Sequence, residues 1–213
     1  MLLSIIIPTY NEQATIEKLV SYVQKTSFPI PYEIIIIDDA SVDRTFEKET
    51  LIRIANRNGK NNIRLFKNRI NKGKSFSIRK GIHRSRGNLI IVQDADTEYD
   101  PADIASLLKP FLEGKADLVM GSRFLQNAWP EGMALPSWIA NHFLTWLTNF
   151  LYGLKLTDME TCYKLFRADM LKELRLVANG FSFDPEAIAL LAKKGIKIAE
   201  LPISYRGRTA KEG

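Results

Sequence analysis

Apolar residues follow two alternating rhythms along the chain. Short continuous runs fall at residues 2–7, 33–37, 63–66, 89–92 and 117–120. They are rich in Ile and Val, lack internal alternation, and predict parallel strands buried on both faces. Between the first two runs, Ile16, Leu19, Val20 and Val23 fall at i, i+3, i+4 and i+7, which predicts a helix with one apolar face. Asp43-Arg44-Thr45 opens a second helix with Leu51, Ile54 and Ala55 inward, and Asn58-Gly59 stops it. Further helices are expected from about residue 74 to 86 and over 101–113, 168–176 and 185–194. Two more strands are expected, a short one at 164–166 and a last one at 196–205. Pro202 within that last strand calls for an edge position or a bend. Strand and helix alternation over the first half predicts one α/β domain, with a mainly parallel central sheet and helices on both faces.

Residues 126–136 read as a loop, and the stretch 138–153 after it has an uncommon pattern. It carries no charge. Asn141, His142, Thr145, Thr148 and Asn149 form one narrow polar stripe on a helical wheel, and Trp138, Phe143, Trp146 and Phe150 belong to the apolar remainder. A mostly apolar helix is usually buried, so the expectation is packing against the core. The other reading is a helix lying against a membrane or a lipid substrate, with its Trp residues at the interface.

Composition narrows the class. The chain has 213 residues, 46% of them hydrophobic, which is enough for one domain with a substantial core. Its single cysteine, Cys162, excludes an intrachain disulfide, fits a reducing compartment, and is expected to be a small packed residue rather than a nucleophile. Met1-Leu2-Leu3-Ser4 runs straight into a strand without a basic leader, and no uncharged run reaches membrane-spanning length. The net charge of +6 is uneven: twelve Lys and Arg, and no Asp or Glu, lie between Thr50 and Gln93. Such a segment suits phosphates of a nucleotide, a nucleic acid or an anionic membrane surface. Sparse aromatic interleaving, Phe66 and Phe76 alone, makes nucleic acid the poorest match.

The candidate chemistry sits at strand ends. The run 89–92 leads into Asp94 and Asp96, and the run 33–37 into Asp38 and Asp39. Open α/β sheets bind ligands at the carboxyl ends of their strands. Two carboxylates at i and i+2 can converge on a hard cation, as Mg²⁺ is held by one or two carboxylates plus phosphates. Asn71-Lys72-Gly73-Lys74-Ser75 opens a helix. It lacks the first Gly of a P-loop, yet Lys74 at a helix N-terminus still favours a phosphate.

Seven motifs fall in a familiar order: Pro8-Thr9-Tyr10-Asn11-Glu12, Asp38-Asp39-Ala40-Ser41, Asn71-Lys72-Gly73-Lys74, Asp94-Ala95-Asp96, Gly121-Ser122-Arg123, the stretch from Asp158 to Lys164, and Leu201-Pro202-Ile203. Together they resemble family 2 glycosyltransferases of the GT-A (Rossmann-like) fold, above all the dolichol- and polyprenyl-phosphate sugar synthases. The resemblance implies a nucleotide-sugar half at 1–125 and an acceptor-side half at 126–213. It implies that Pro8, Tyr10, Glu12 and Asp39 hold the nucleoside, with Lys74 and Arg208 at the donor phosphates. Asp94 and Asp96, with Glu98 as a third ligand, would bind Mg²⁺ or Mn²⁺. Arg123, Ser137 and Lys164 would meet the acceptor, and Asp158 lies in the acceptor-side motif.

The expected reaction is metal-dependent, inverting transfer of a hexose to a polyprenyl or dolichyl phosphate. Mannose from GDP-mannose is favoured over glucose from UDP-glucose. An ionised lipid phosphate needs no general base, whereas a hydroxyl acceptor would call on Asp158 or Glu160. Peripheral membrane contact at the cytoplasmic face is implied, with no nucleic-acid partner. The alternatives are the same donor site acting on a saccharide or other hydroxyl, and a non-catalytic nucleotide-sugar sensor or membrane scaffold.

Overall fold

The structure is a computed structural model that describes residues 1–47 and 62–207. The helix expected over 43–58 extends outside the described residues, and Arg208 lies outside them. Seven strands form one sheet: β1 (Leu3–Thr9), β2 (Tyr32–Asp38), β3 (Ile63–Lys67), β4 (Leu89–Val92), β5 (Leu118–Ser122), β6 (Lys164–Arg167) and β7 (Ile198–Pro202). Their order is β3-β2-β1-β4-β6-β5-β7. All neighbours are parallel except β6, which runs antiparallel to both β4 and β5. Every residue of β1 and β4 is buried. This is why those runs show no alternation: both faces are covered. β7 is an edge strand, as Pro202 requires.

The described helices are α1 (Ile16–Lys25), α2 (Lys74–Arg84), α3 (Asp103–Leu112), α4 (Leu135–Tyr152), α5 (Ala168–Lys172) and α6 (Phe183–Ala192). The face of α1 predicted from Ile16, Leu19, Val20 and Val23 is fully buried. The chain steps from β1 to β2 in one direction and from β3 back across to β4 in the other. Right-handed crossovers then place α1 and α2 on opposite faces of the sheet. The helix expected over 168–176 is shorter, closing at Lys172.

The topology gathers the polar motifs at one edge. Six strands end there, and the antiparallel β6 begins there, so Lys164 meets the edge at a strand start while Asp94 and Asp96 meet it just past a strand end. The opposite edge is tied by Glu33. Its carboxylate accepts from Ser4 Oγ at 2.7 Å, Arg86 N at 2.7 Å and Arg64 Nη1 at 3.1 Å. One side chain thus joins β1, β2, β3 and the turn before β4.

Burial alone would raise the Glu33 pKa, but the Arg86 amide, the Ser4 hydroxyl and Arg64 together hold it below the ordinary carboxylate value. A depressed folded pKa adds stability that is present above the unfolded value, about 4.3 for Glu, and is lost as pH falls through the folded one. Urea unfolding from pH 7 to pH 3 should therefore show a shallower acid loss in Glu33→Gln than in wild type, with the variant less stable at pH 7 by about 1–3 kcal/mol.

Candidate active site

A cleft of about 570 Å³ opens at the carboxyl edge, with Pro8, Tyr10, Glu12, Asp39, Lys74, Asp94 and Asp96 among its walls. The structure thus brings together seven of the residues singled out in the sequence. Asp39 is the hub. Its Oδ1 accepts from Asn68 Nδ2 at 2.7 Å and Lys72 N at 3.0 Å, and its Oδ2 from Gly73 N at 2.6 Å. These bonds fasten the end of β2 to the loop that starts α2. Gly73 takes φ +87, and a Cβ there would come within 3.1 Å of Gly180 backbone. Two non-glycine residues with positive φ, Asn11 (56°) and Ala40 (62°), flank the hub. Asn11 Oδ1 accepts from Val42 N, and Asn11 N donates to Ser41 Oγ, so the loops after β1 and β2 interlock. Left-handed backbone at a residue with Cβ costs about 1–3 kcal/mol and is held by such surroundings. The Glu12 carboxylate accepts from Thr15 Oγ1 at 2.5 Å.

Lys74 Nζ stands 2.5 Å from Asp94 Oδ1. Burial opposes both charges. The pairing outweighs it, holding the Lys74 ammonium above its usual value and the Asp94 carboxyl below. Both stay charged at neutral pH, as a phosphate and cation site needs. Asp94 and Asp96 open on the same cleft, a pair of hard oxygen donors that fits Mg²⁺ or Mn²⁺ completed by diphosphate and water. Glu98 N donates to Asp96 Oδ1 at 3.2 Å, and its Oε2 accepts from Tyr205 Oη at 3.1 Å beside a neighbouring hollow that Glu131 and Arg206 also line. Among the described residues no group of three or more His, Cys, Asp or Glu could hold a metal ion.

Arg123, Asp158 and Lys164 are buried and paired. Arg123 Nε and Nη2 form a forked pair with Asp158 at 2.7 and 2.8 Å, and Nη2 also donates to Asn141 Oδ1 at 2.9 Å. Asp158 is fully buried. With both oxygens engaged it holds Arg123 in place, and this geometry is unlike that of a free proton acceptor. Lys164 is also fully buried, donating to Thr161 O and to Asp184 Oδ1 at 2.9 Å. Ser137 sits exposed in the first turn of α4, where its carbonyl accepts from Asn141 Nδ2 at 2.7 Å. Glu160 is half-buried, and burial pushes its pKa up. Cys162 is packed, 3.6 Å from Val92 O, with burial holding its thiol well above its ordinary pKa. Asp184, Asn141 and Phe181 belong to the site and escaped the sequence reading. Asp184 lies in the first turn of α6, one residue before the helix expected over 185–194. Its one visible signal was the need of a buried Lys164 for a partner.

The helix α4 is inside out, which corrects the expectation of apolar packing. Its buried residues are Asn141, Thr145 and Thr148, while Phe143, Trp146, Phe150 and Leu151 are more than half exposed. The polar stripe faces inward because it has backbone and charge to satisfy. Asn141 holds Arg123, Thr145 Oγ1 accepts from Met159 N, and the Asn149 amide bonds both N and O of Leu156 at 2.8 Å. Outside, Phe143, Trp146 and Phe150 form a ladder with ring centroids 6.1 and 5.8 Å apart. Among the described residues no helix is long and apolar enough to cross a membrane.

Removing Asp158 leaves a buried guanidinium without its counter-charge. Asp158→Ala should lower the free energy of unfolding by about 3–5 kcal/mol, measured by urea denaturation.

Comparison with known proteins accords with this architecture. Residues 4–175 match the model of Glycosyl transferase family 2. A dodecaprenyl-phosphate galacturonate synthase from Rhizobium johnstonii is 29% identical over 208 residues, 97% of this chain and 59% of that protein. A dolichol-phosphate mannosyltransferase from Pyrococcus furiosus is 32% identical over 134 residues, 61% of this chain and 36% of that one. The chain therefore spans only part of the length of these relatives. Among solved structures, glucosyl-3-phosphoglycerate synthase from Mycobacterium tuberculosis, in complex with Mn²⁺, UDP-glucose and phosphoglyceric acid, superposes with a TM-score of 0.72. It is 17% identical, covering 99% of this chain and 74% of that one. The GT-A fold expected from the motifs is thus borne out, and the chain is a glycosyltransferase domain belonging to glycosyl transferase family 2.

Proposed function

We propose that this domain transfers a hexose from a nucleotide sugar to a polyprenyl phosphate at a membrane surface, with inversion at the anomeric carbon. The observation that carries the lipid acceptor is the outward apolar face of α4, whose inner face holds Arg123 through Asn141. An exposed, uncharged aromatic face of this kind suits contact with a lipid surface. The relatives named for dodecaprenyl and dolichol phosphates support the same class. Mannose is the first sugar to test, from GDP-mannose, and glucose from UDP-glucose the second.

In this reading Pro8, Tyr10, Glu12 and Asp39 seat the nucleoside and Lys74 faces the diphosphate. Asp94 and Asp96 hold Mg²⁺ or Mn²⁺, which supplies charge stabilisation to the departing nucleoside diphosphate. Arg208, the last cation of the resemblance, would close over the donor phosphates. Arg123, fixed by Asp158 and Asn141, presents a preset positive charge toward the acceptor phosphate, with Ser137 and Lys164 on the same side. An ionised phosphate attacks without proton removal, which agrees with Asp158 having both oxygens engaged. A second reading, a hydroxyl acceptor, is favoured by one observation: the raised pKa of Glu160 suits a group that takes a proton.

Isothermal titration with GDP and UDP, each with and without Mn²⁺, tests the donor site. One nucleotide should bind in a metal-dependent way, and Asp96→Ala should weaken it by about tenfold or more. Absence of binding by both would sink the catalytic reading and leave a scaffold. Sugar transfer to polyprenyl phosphate should survive in Glu160→Gln. Transfer only to a hydroxyl acceptor, lost in that variant, would establish the second reading instead.

Flotation with vesicles containing polyprenyl phosphate tests the surface. The double variant Trp146→Glu/Phe150→Glu should lose about tenfold or more in vesicle partitioning, since each large apolar side chain contributes about 1.5–3 kcal/mol on burial. Its nucleotide affinity should stay at the wild-type value. Equal flotation of wild type and variant would remove α4 from the membrane contact.

A further inference from the structure

Phe181 lines the donor cleft and is 84% exposed. Its loop is held at every step. Gly180 O accepts from Ser75 N at 2.8 Å and Ser75 Oγ at 2.9 Å, and Ser75 Oγ accepts in turn from Phe183 N at 3.0 Å. Val177 N and Ala178 N donate to the Glu186 carboxylate. Gly180, with φ +63, packs closely on Gly73, where a Cβ would stand 3.1 Å from Gly180 backbone. Scattered exposed apolar residues are ordinary. A phenyl ring carried by an anchored loop at a cleft that also shows Asp39, Lys74, Asp94 and Asp96 is not scattered, and it offers a polar ligand nothing but a flat face.

Two placements say which part of a ligand takes that face. First, α2 and α6 touch each other, and α1 lies on the opposite side of the sheet. Phe181, before α6, and the half-exposed Tyr10, before α1, therefore rise on opposite walls of one cleft. Second, Gly180 is anchored on Gly73, whose amide is bonded to Asp39, and on Ser75, the residue after Lys74, so the Phe181 loop is fastened where the Asp39 and Lys74 sides of the cleft meet. Lys74 and Asp94 supply charge for phosphates, and the ring offers none. The planar apolar group of a nucleotide sugar is its base. We propose that Phe181 is a donor-binding contact that packs on the nucleobase across from Tyr10. This rests on the donor reading above and deepens it. Every base has a π face, so stacking contributes affinity without choosing the base. Base selection then falls to the polar groups of the loops after β1 and β2.

The test is titration of wild type, Phe181→Ala and Phe181→Tyr with the nucleoside diphosphate that wild type binds and with inorganic pyrophosphate, all with Mn²⁺. The side chain is exposed, so neither substitution removes core packing. Phe181→Ala should weaken the nucleoside diphosphate by about tenfold or more and leave pyrophosphate unchanged, and Phe181→Tyr should restore binding. Unchanged nucleotide affinity in Phe181→Ala, or equal losses for nucleotide and pyrophosphate, would overturn the proposal. So would an unchanged donor affinity with a raised KM for polyprenyl phosphate, which would assign Phe181 to the acceptor. Wild type that binds pyrophosphate but neither nucleotide would count against the donor reading itself.

Discussion

The carboxylate of Asp39 is the interaction on which the cleft depends. It is buried at the end of β2 and accepts the amides of Lys72 and Gly73 and the side chain of Asn68. Bonds of this charge-assisted kind contribute about 1.5–3 kcal/mol each. They fix where α2 starts, and so where Lys74 can meet Asp94. Through Gly73 and Gly180 they also fix the loop before α6. The same residue that the resemblance assigns to the nucleoside is thus the fastening of the walls around it. Loss of Asp39 would confound binding with architecture, whereas the exposed Phe181 side chain can be altered without releasing the frame.

Much of the fold was legible because buried parallel strands write themselves plainly. The runs at 33–37 and 89–92 could hardly be anything else, and Pro202 announced an edge. The carboxylates after those runs were legible for the same reason, since a strand end leaves few places for an acid to go. Pairings between distant segments were not legible. Arg123 with Asp158, and Lys164 with Asp184, are matches across β6 that periodicity does not encode. Nor was the bond from Tyr205 to Glu98 legible, since it joins residues more than a hundred positions apart.

The helix α4 was misread because amphipathicity gives a direction only when the interior is known to be apolar. Here the interior beside α4 is the Asp158 motif, with open amides at Leu156 and Met159 and a buried guanidinium. Asn and Thr are the side chains that satisfy such groups, so the polar stripe turned inward and the aromatics were left outside. A buried polar wall of this sort is expensive unless every donor is met, and the asparagines and threonine of α4 supply those partners.

The antiparallel β6 has a consequence for synthesis. β5 has β6 and β7 as its neighbours and shares no ladder with β4, although β4 precedes it directly among the strands. A chain made up to Ser122 has the four strands β1–β4 that pair with one another, but neither partner of β5. That strand must wait for Lys164–Arg167 to emerge and slide between it and β4, pairing Ile91 with Leu165 and Val119 with Leu165 on its two sides. Closure of the sheet is thus a late, non-local event. It is also the event that seats Lys164 beside the acidic strand end, so that edge is completed only when a segment from the last third of the polypeptide has entered between two strands of the middle third.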